Sequence, residues 1–434
     1  MDSDKGDLKM IPHDIDYTKI KIGNNYVNFI AINVDNAPRV SIEVFANVGS
    51  ENELKNEHGY AHFLEHSRFK STTTRSTHQI ANAVEIIGAN FNAYTSKNHT
   101  CYYAVGLNET LSTLIDIMGD ITCNSIFPED EIIKERNVVI QEMRMTDDDS
   151  NSKAYDAFYE AAYGNQSSGH SVLGDIKTIE KISRNDVINF SKTHYNNKTI
   201  TIVVAGDFDK NKIIDMLSFH FENLSISTKT PKRIKNPDFS SKSKIISKPL
   251  DHLSTIIGFN LSNDFDNEAV SLAINSLGSG MSSPLFQEVR EKNGLVYSVY
   301  GYNYPDKFAN TVFFGYETTD DKNLSCLESI GNIIKNANDF VNPDDILRAT
   351  NQLLASYAIC TENPHSMSSF YGTNYVVFDE KYHIKDIIEK IKKISVDDIR
   401  NILNNIKLSE FAIGSCGQLI ENSPIYETFS NSVK

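Results

Sequence analysis

One order of apolar periodicities occurs twice along the chain, and this repeat limits the possible folds more than any single residue does. In the first half the pattern predicts strands over 26–34 and 39–48, helices over 57–70 and 77–87, and an extended segment through 94. A strand over 100–106, a helix over 109–122 and a helix opened by Pro128 and running past Glu142 follow. The second half offers a strand over 254–261, helices over 267–277 and 283–292, strands over 294–302 and 311–316, a helix over 321–337 and one opened by Pro343. The strands are broken by helices at tight turns, with no regular βαβ crossover and no glycine-rich phosphate loop. That combination predicts α+β architecture rather than a doubly wound nucleotide fold. The expectation is two similar domains, each a mainly antiparallel sheet with helices packed on one face.

The joint between them is legible in composition. From Ser225 to Leu250 there are seven Lys or Arg against one acid, Asp238, with Pro231, Pro237 and Pro249 interspersed. Such low apolar content reads as a linker, placed at 229–250 between domains over 1–228 and 251–434. Over the whole chain of 434 residues, 40% are hydrophobic and 23% charged, which supplies real cores and excludes collagen-like and disordered classes. No apolar run approaches the ~18 residues of a membrane span. The first residues carry acids and lysines without an apolar stretch, so no secretory leader is expected. Five cysteines, odd in number and without CxxC spacing, argue against a disulfide framework and a cysteine-based zinc site. A reducing compartment, the cytoplasm, is therefore expected, with the periplasm and an organelle matrix as alternatives. With 42 basic and 57 acidic residues the net charge is -15, which disfavours nucleic acid as a partner.

The chemistry is concentrated in the run from His58 to His66. In a helix, His62, Glu65 and His66 fall within an arc of about 100°, so two imidazoles and one carboxylate share a face. Imidazoles at i and i+4 suit a divalent zinc ion, and a neighbouring carboxylate can reach water at the metal and act as general base. A catalytic site needs a third protein ligand. The helix opened by Pro128 supplies Glu135 and Glu142, about two turns apart on one face, one for the metal and one to support it. His58 is the other candidate ligand; a surface or capping role is its plainer reading. In the second half, Thr350 and Tyr357 stand where Glu135 and Glu142 stand in the first, so only one half keeps the chemistry.

These segments resemble the pitrilysin-like (inverzincin) zinc metallopeptidases, in particular their processing-peptidase branch, over nearly the whole chain. His62-Phe63-Leu64-Glu65-His66 is similar to the family's inverted zinc motif, the run from Ile87 to Thr95 to its active-site strand, and the run from Leu277 to Arg290 to its second-domain signature. The resemblance implies that His62, His66 and Glu142 bind one zinc ion per chain, that Glu65 is the base and that Glu135 supports the site. It further implies that the strand holding Asn92, Ala93 and Tyr94 pairs with an extended peptide substrate, and that Arg290 and Tyr297 reach a substrate carbonyl. Ser67, Ser71 and Pro284 depart from common family residues without removing a ligand. In processing members an acidic pair reads a substrate arginine; the matching positions here are Ser152 and Asp156, which keep one acid of the two.

The expected function is thus zinc-dependent cleavage of unfolded peptides, a basic peptide being one candidate substrate. The expected assembly is a homodimer, or a heterodimer with a partner lacking the metal. The alternative is a non-catalytic structural or peptide-binding subunit of the same fold. Without the resemblance, Asn92 reads as a turn or strand-edge residue, Arg290 as a solvated helix end, Tyr297 as a packing aromatic and Asp147 to Asp149 as a solvated turn.

Overall fold

The computed structural model describes residues 11–227, 237–262, 264–306, 310–419 and 422–434. The part of the expected linker at 229–236 lies outside the described residues. One sheet contains β1 (Asp14–Ile22), β2 (Asn25–Asn33), β3 (Arg39–Ala46), β4 (Asn90–Thr95), β5 (Thr100–Leu107) and β6 (Ile200–Gly206) in the order β1-β2-β6-β3-β5-β4. The other contains β7 (Ser243–Ser247), β8 (Leu253–Leu261), β9 (Ser298–Pro305), β10 (Asn310–Thr318) and β11 (Phe411–Gly417) in the order β7-β11-β8-β10-β9.

The repeat seen in the sequence is also a repeat of topology. Apart from β1, the order β2-β6-β3-β5-β4 matches β7-β11-β8-β10-β9 strand for strand. In each sheet the first of these pairs is parallel, β2 with β6 and β7 with β11, and every later pair is antiparallel. The fold is therefore two similar α+β domains. β7 lies within the stretch read as linker, and it is the counterpart of β2. Its five residues offer only Ile245 and Ile246 as apolar signal among serines and a lysine, too short a pattern to register as a strand.

Helices α1 (Tyr60–Arg68), α2 (Thr77–Glu85), α3 (Leu111–Cys123) and α4 (Glu129–Asp147) follow the expected order. α3 packs on β3 and β5. The Pro364–Phe378 helix, from the second half of the sequence, packs on β2, β3 and β6 of the first sheet. Ser41 and Glu43 of β3 face that helix, since the Ser368 hydroxyl reaches Ser41 Oγ at 3.0 Å and donates to Glu43 at 2.6 Å. Strand alternation turns Val40, Ile42 and Val44 to the opposite face, and all three are fully buried. Every residue of β3 after Arg39 is therefore buried, the polar Ser41 and Glu43 included.

The second sheet receives a helix in the same way. α5 (Ser150–Tyr163), from the first half, packs on β7, β8 and β11, and its Phe158 joins Ile256, Phe313 and Cys416 in one core. The approach is close: a Cβ on Gly414 would lie 2.1 Å from the Phe158 backbone nitrogen, so only glycine fits there. The described residues within 1–141, 171–234 and 356–382 accordingly form one compact unit, and those within 142–170, 235–355 and 383–434 another. No helix among the described residues is long and apolar enough to cross a membrane.

Candidate metal centre

α1 carries His62, Glu65 and His66, and it is held at both ends. Gly59 caps its start in the left-handed region, φ 95°, where a Cβ would also meet the Leu173 carbonyl at 2.8 Å. The Glu53 carboxylate, 3% exposed, accepts from the Gly59 and Ala61 N–H groups at 2.9 and 2.8 Å, satisfying donors that a helix start leaves open. At the other end the buried Arg68 guanidinium donates to the Ile121 and Thr122 carbonyls at 3.0 and 2.6 Å and to Ser191 Oγ at 2.9 Å. It also lies 4.1 Å from the centre of the Tyr195 ring. Asp120 fixes the loop after α1, accepting from Thr72, Thr74 and Arg75 at 2.7, 2.8 and 2.8 Å.

The expected cluster assembles. His62, His66 and Glu142 each offer a ligand atom, and these atoms all lie within 4.8 Å of one another. The His62 and His66 rings meet edge to face, 4.6 Å between centres. Burial, together with the neighbouring His66, pulls the His62 pKa down to about 3, so its imidazole is neutral at physiological pH, as a metal ligand must be. Glu135, on the same continuous helix as Glu142, accepts from His66 Nδ1 at 2.9 Å and pairs with Lys70 at 2.6 Å. A carboxylate has no proton to give, so Nδ1 carries the proton of this bond, which leaves Nε2 as the ligand atom of the neutral ring. Burial pushes the Glu135 carboxyl up, yet hydrogen bonds with His66 and Lys70 prevail and hold it below the usual carboxylate range. Two imidazoles and one carboxylate form the donor set of a His₂Glu catalytic zinc site. These residues fit zinc.

Glu65, 8% exposed, accepts from the Thr95 hydroxyl at 2.6 Å. Thr95 ends β4, one of the two edge strands of the first sheet. The two faces of β4 divide the predicted residues. Thr95 and Phe91 point toward α1, the Phe91 ring lying 4.6 Å from that of Phe69, its C-cap. Alternation turns the Asn92 and Tyr94 side chains to the other face. There Asn92 lies opposite Tyr103, whose ring stacks on His365 at 4.7 Å, and the Tyr94 hydroxyl lies 3.3 Å from His99 Nε2. The Ala93 N–H donates to Asn92 Oδ1 at 2.9 Å. On the α1 side of the strand, Asn92 and Tyr94 therefore offer only their backbone.

In the second unit Arg290 and Tyr297 lie together. Arg290 sits in a π-helical turn, Gln287–Lys292, with its guanidinium 4.8 Å from the Phe286 ring centre and 5.8 Å from that of Tyr297. Tyr297 is 78% exposed and lines a groove of about 530 Å³ with His252, Val296 and Lys322. Sequence reasoning missed Glu53, Arg68, Lys70 and Thr95. Only Lys70, i+4 from His66, had a local signal.

Known proteins place this arrangement. The chain matches the model of the insulinase family, peptidase family M16, over residues 29–176 and that of the peptidase M16 inactive domain over residues 181–353. A protein of Rickettsia bellii described as an uncharacterized zinc protease is 34% identical over 389 residues, covering 88% of this chain and 93% of that one. A Rickettsia felis protein of the same description is 33% identical over 390 residues, with 88% and 93% covered. The crystal structure of a protease from Helicobacter pylori matches with a TM-score of 0.83 at 20% identity over 94% of this chain and 100% of that chain, a likeness of fold. The chain belongs to the insulinase (M16) family of peptidases, and relatives in that family are named zinc proteases.

Proposed function

We propose that this chain is a zinc-dependent endopeptidase of extended or unfolded peptides, with one zinc ion per chain held by His62, His66 and Glu142. The observation that carries the reading is the convergence of the ligand atoms of His62 and His66, which share with Glu65 a helix clamped at both ends, with that of Glu142 from α4. Zinc bound there supplies Lewis-acid polarisation of the peptide carbonyl and makes water more acidic. Glu65 takes the proton of the attacking water at its carboxylate and passes it to the leaving amine as the peptide C–N bond breaks. Glu135 keeps the His66 lone pair directed outward.

The backbone of β4, around Asn92, Ala93 and Tyr94, receives the substrate as an added strand, since an edge strand has unpaired N–H and C=O groups on one side. Arg290 and Tyr297 serve the substrate carbonyl. Because one chain keeps both the metal residues and this pair, two copies would form a homodimer with two equivalent sites.

Strand addition demands an extended chain, and a folded domain presents its cleavage site only when it opens. A disordered reporter peptide is therefore expected to be cut at least ~100-fold faster than the same sequence inside a stable domain. Chelation should stop the reaction and zinc restore it. Equal rates on the two substrates would overturn the extended-substrate reading, and activity indifferent to chelation would overturn the metal reading.

A further inference from the structure

Thr95 is no member of the metal cluster, yet it touches the residue on which the proposed chemistry turns. Its hydroxyl lies 2.6 Å from Glu65 Oε2, a short charge-assisted hydrogen bond. The proton inventory fixes its direction. Thr100 Oγ1, fully buried and 3.4 Å from Thr95 Oγ1, spends its own proton on the Val48 carbonyl at 2.9 Å. Thr100 can therefore only accept from Thr95, at the longer distance, while the carboxylate has no proton to give, so the Thr95 proton goes to Glu65 at 2.6 Å. The β-branch restricts χ1, so the hydroxyl is aimed by the strand that carries it.

We propose that Thr95 is a positioning residue: it sets the plane of the Glu65 carboxylate relative to β4, coupling the strand that receives the peptide to the base that acts on it. The inference rests on Glu65 being the base. The α1 clamp fixes the Glu65 backbone, and Thr95 is a partner that acts on the orientation of the carboxylate at the end of its flexible side chain.

Two variants of the full zinc-loaded chain separate this role from packing. Thr95→Val keeps the shape and removes the hydroxyl, whereas Thr95→Ser keeps the hydroxyl. Thr95→Val is expected to lower kcat by ~10–100-fold with KM and zinc content nearly unchanged, the usual cost of losing a supporting hydrogen bond at a metal site. Thr95→Ser should recover most of that loss. A crystal structure of metal-free Thr95→Val supplies a readout that needs no activity: the Glu65 carboxylate should be rotated from its place in the parent chain, and Thr95→Ser should restore it. Should the parent chain cut no peptide, the reading of Glu65 as base falls, and the carboxylate orientation alone decides whether Thr95 holds it. An unmoved carboxylate in Thr95→Val, an unchanged kcat, or a Thr95→Ser variant as impaired as Thr95→Val would each overturn the proposal.

Discussion

Replacing Glu135 by glutamine keeps the shape of the side chain and removes its charge, at a residue 3% exposed. In the parent chain one oxygen accepts from His66 Nδ1 at 2.9 Å and the other pairs with Lys70 Nζ at 2.6 Å. An amide offers one oxygen and one NH₂ group, so Glu135→Gln must set its NH₂ against either the Nδ1–H or the ammonium, both donors. Loss of such a partner costs about 10–100-fold in metal affinity, or roughly 1.4–2.7 kcal/mol. Losing the partly exposed Lys70 pair removes about 1–2 kcal/mol of stability besides. Zinc affinity is read by competition against a chromophoric chelator at neutral pH, and stability by the urea midpoint of the metal-free protein. Because the amide oxygen is also a weaker acceptor than a carboxylate, the expected result is weaker zinc binding together with a lower midpoint. A variant that matches the parent in both zinc affinity and midpoint would refute the argument that Glu135 holds His66 and Lys70 together.

Two further outcomes follow from other parts of the molecule. Burial pushes the Asp120 carboxyl up, but hydrogen bonds with Thr72, Arg75, Thr74 and Asn124 prevail and depress it in the folded chain. Its contribution is therefore complete above the usual carboxylate range and lost as pH falls through the depressed value. Asp120→Asn should lower stability by about 1–3 kcal/mol at pH 7, and the gap to the parent should close on acidification; urea midpoints across pH would count against this if the gap stayed constant. Light scattering of the purified chain should give the mass of two copies, and a monomer at working concentration would contradict the homodimer.

The parts of the molecule that were legible in sequence are those written in short-range spacing. His62, Glu65 and His66 sit within one turn and a fraction of α1, and Glu135 and Glu142 within two turns of α4, so helical geometry alone brings each set onto one face. The repeated element order likewise needed only local periodicity. What escaped were contacts made from outside the helix that carries the motif. Glu53 reaches α1 from the segment before it, Arg68 finds its acceptors at Ile121, Thr122 and Ser191, and Thr95 meets Glu65 across thirty positions of chain. The exchange of α5 and the Pro364–Phe378 helix between the two sheets leaves no local trace either, because an amphipathic helix does not declare which sheet it covers. Asn92 and Tyr94 illustrate a finer limit. The period of two puts them on one face, but the Thr95 to Glu65 bond and the Phe91 to Phe69 contact are what show that theirs is the face turned away from α1.

The central claim is that this chain hydrolyses peptide bonds with Glu65 as base. Its most direct test is mass spectrometry of an unstructured peptide mixture incubated with the zinc-loaded parent chain and with zinc-loaded Glu65→Gln, metal content verified in both. New fragments with the parent alone, the variant being slower by at least ~10²-fold, is the result predicted for loss of a general base. Fragments produced equally by both, or intact peptides with both, would contradict it.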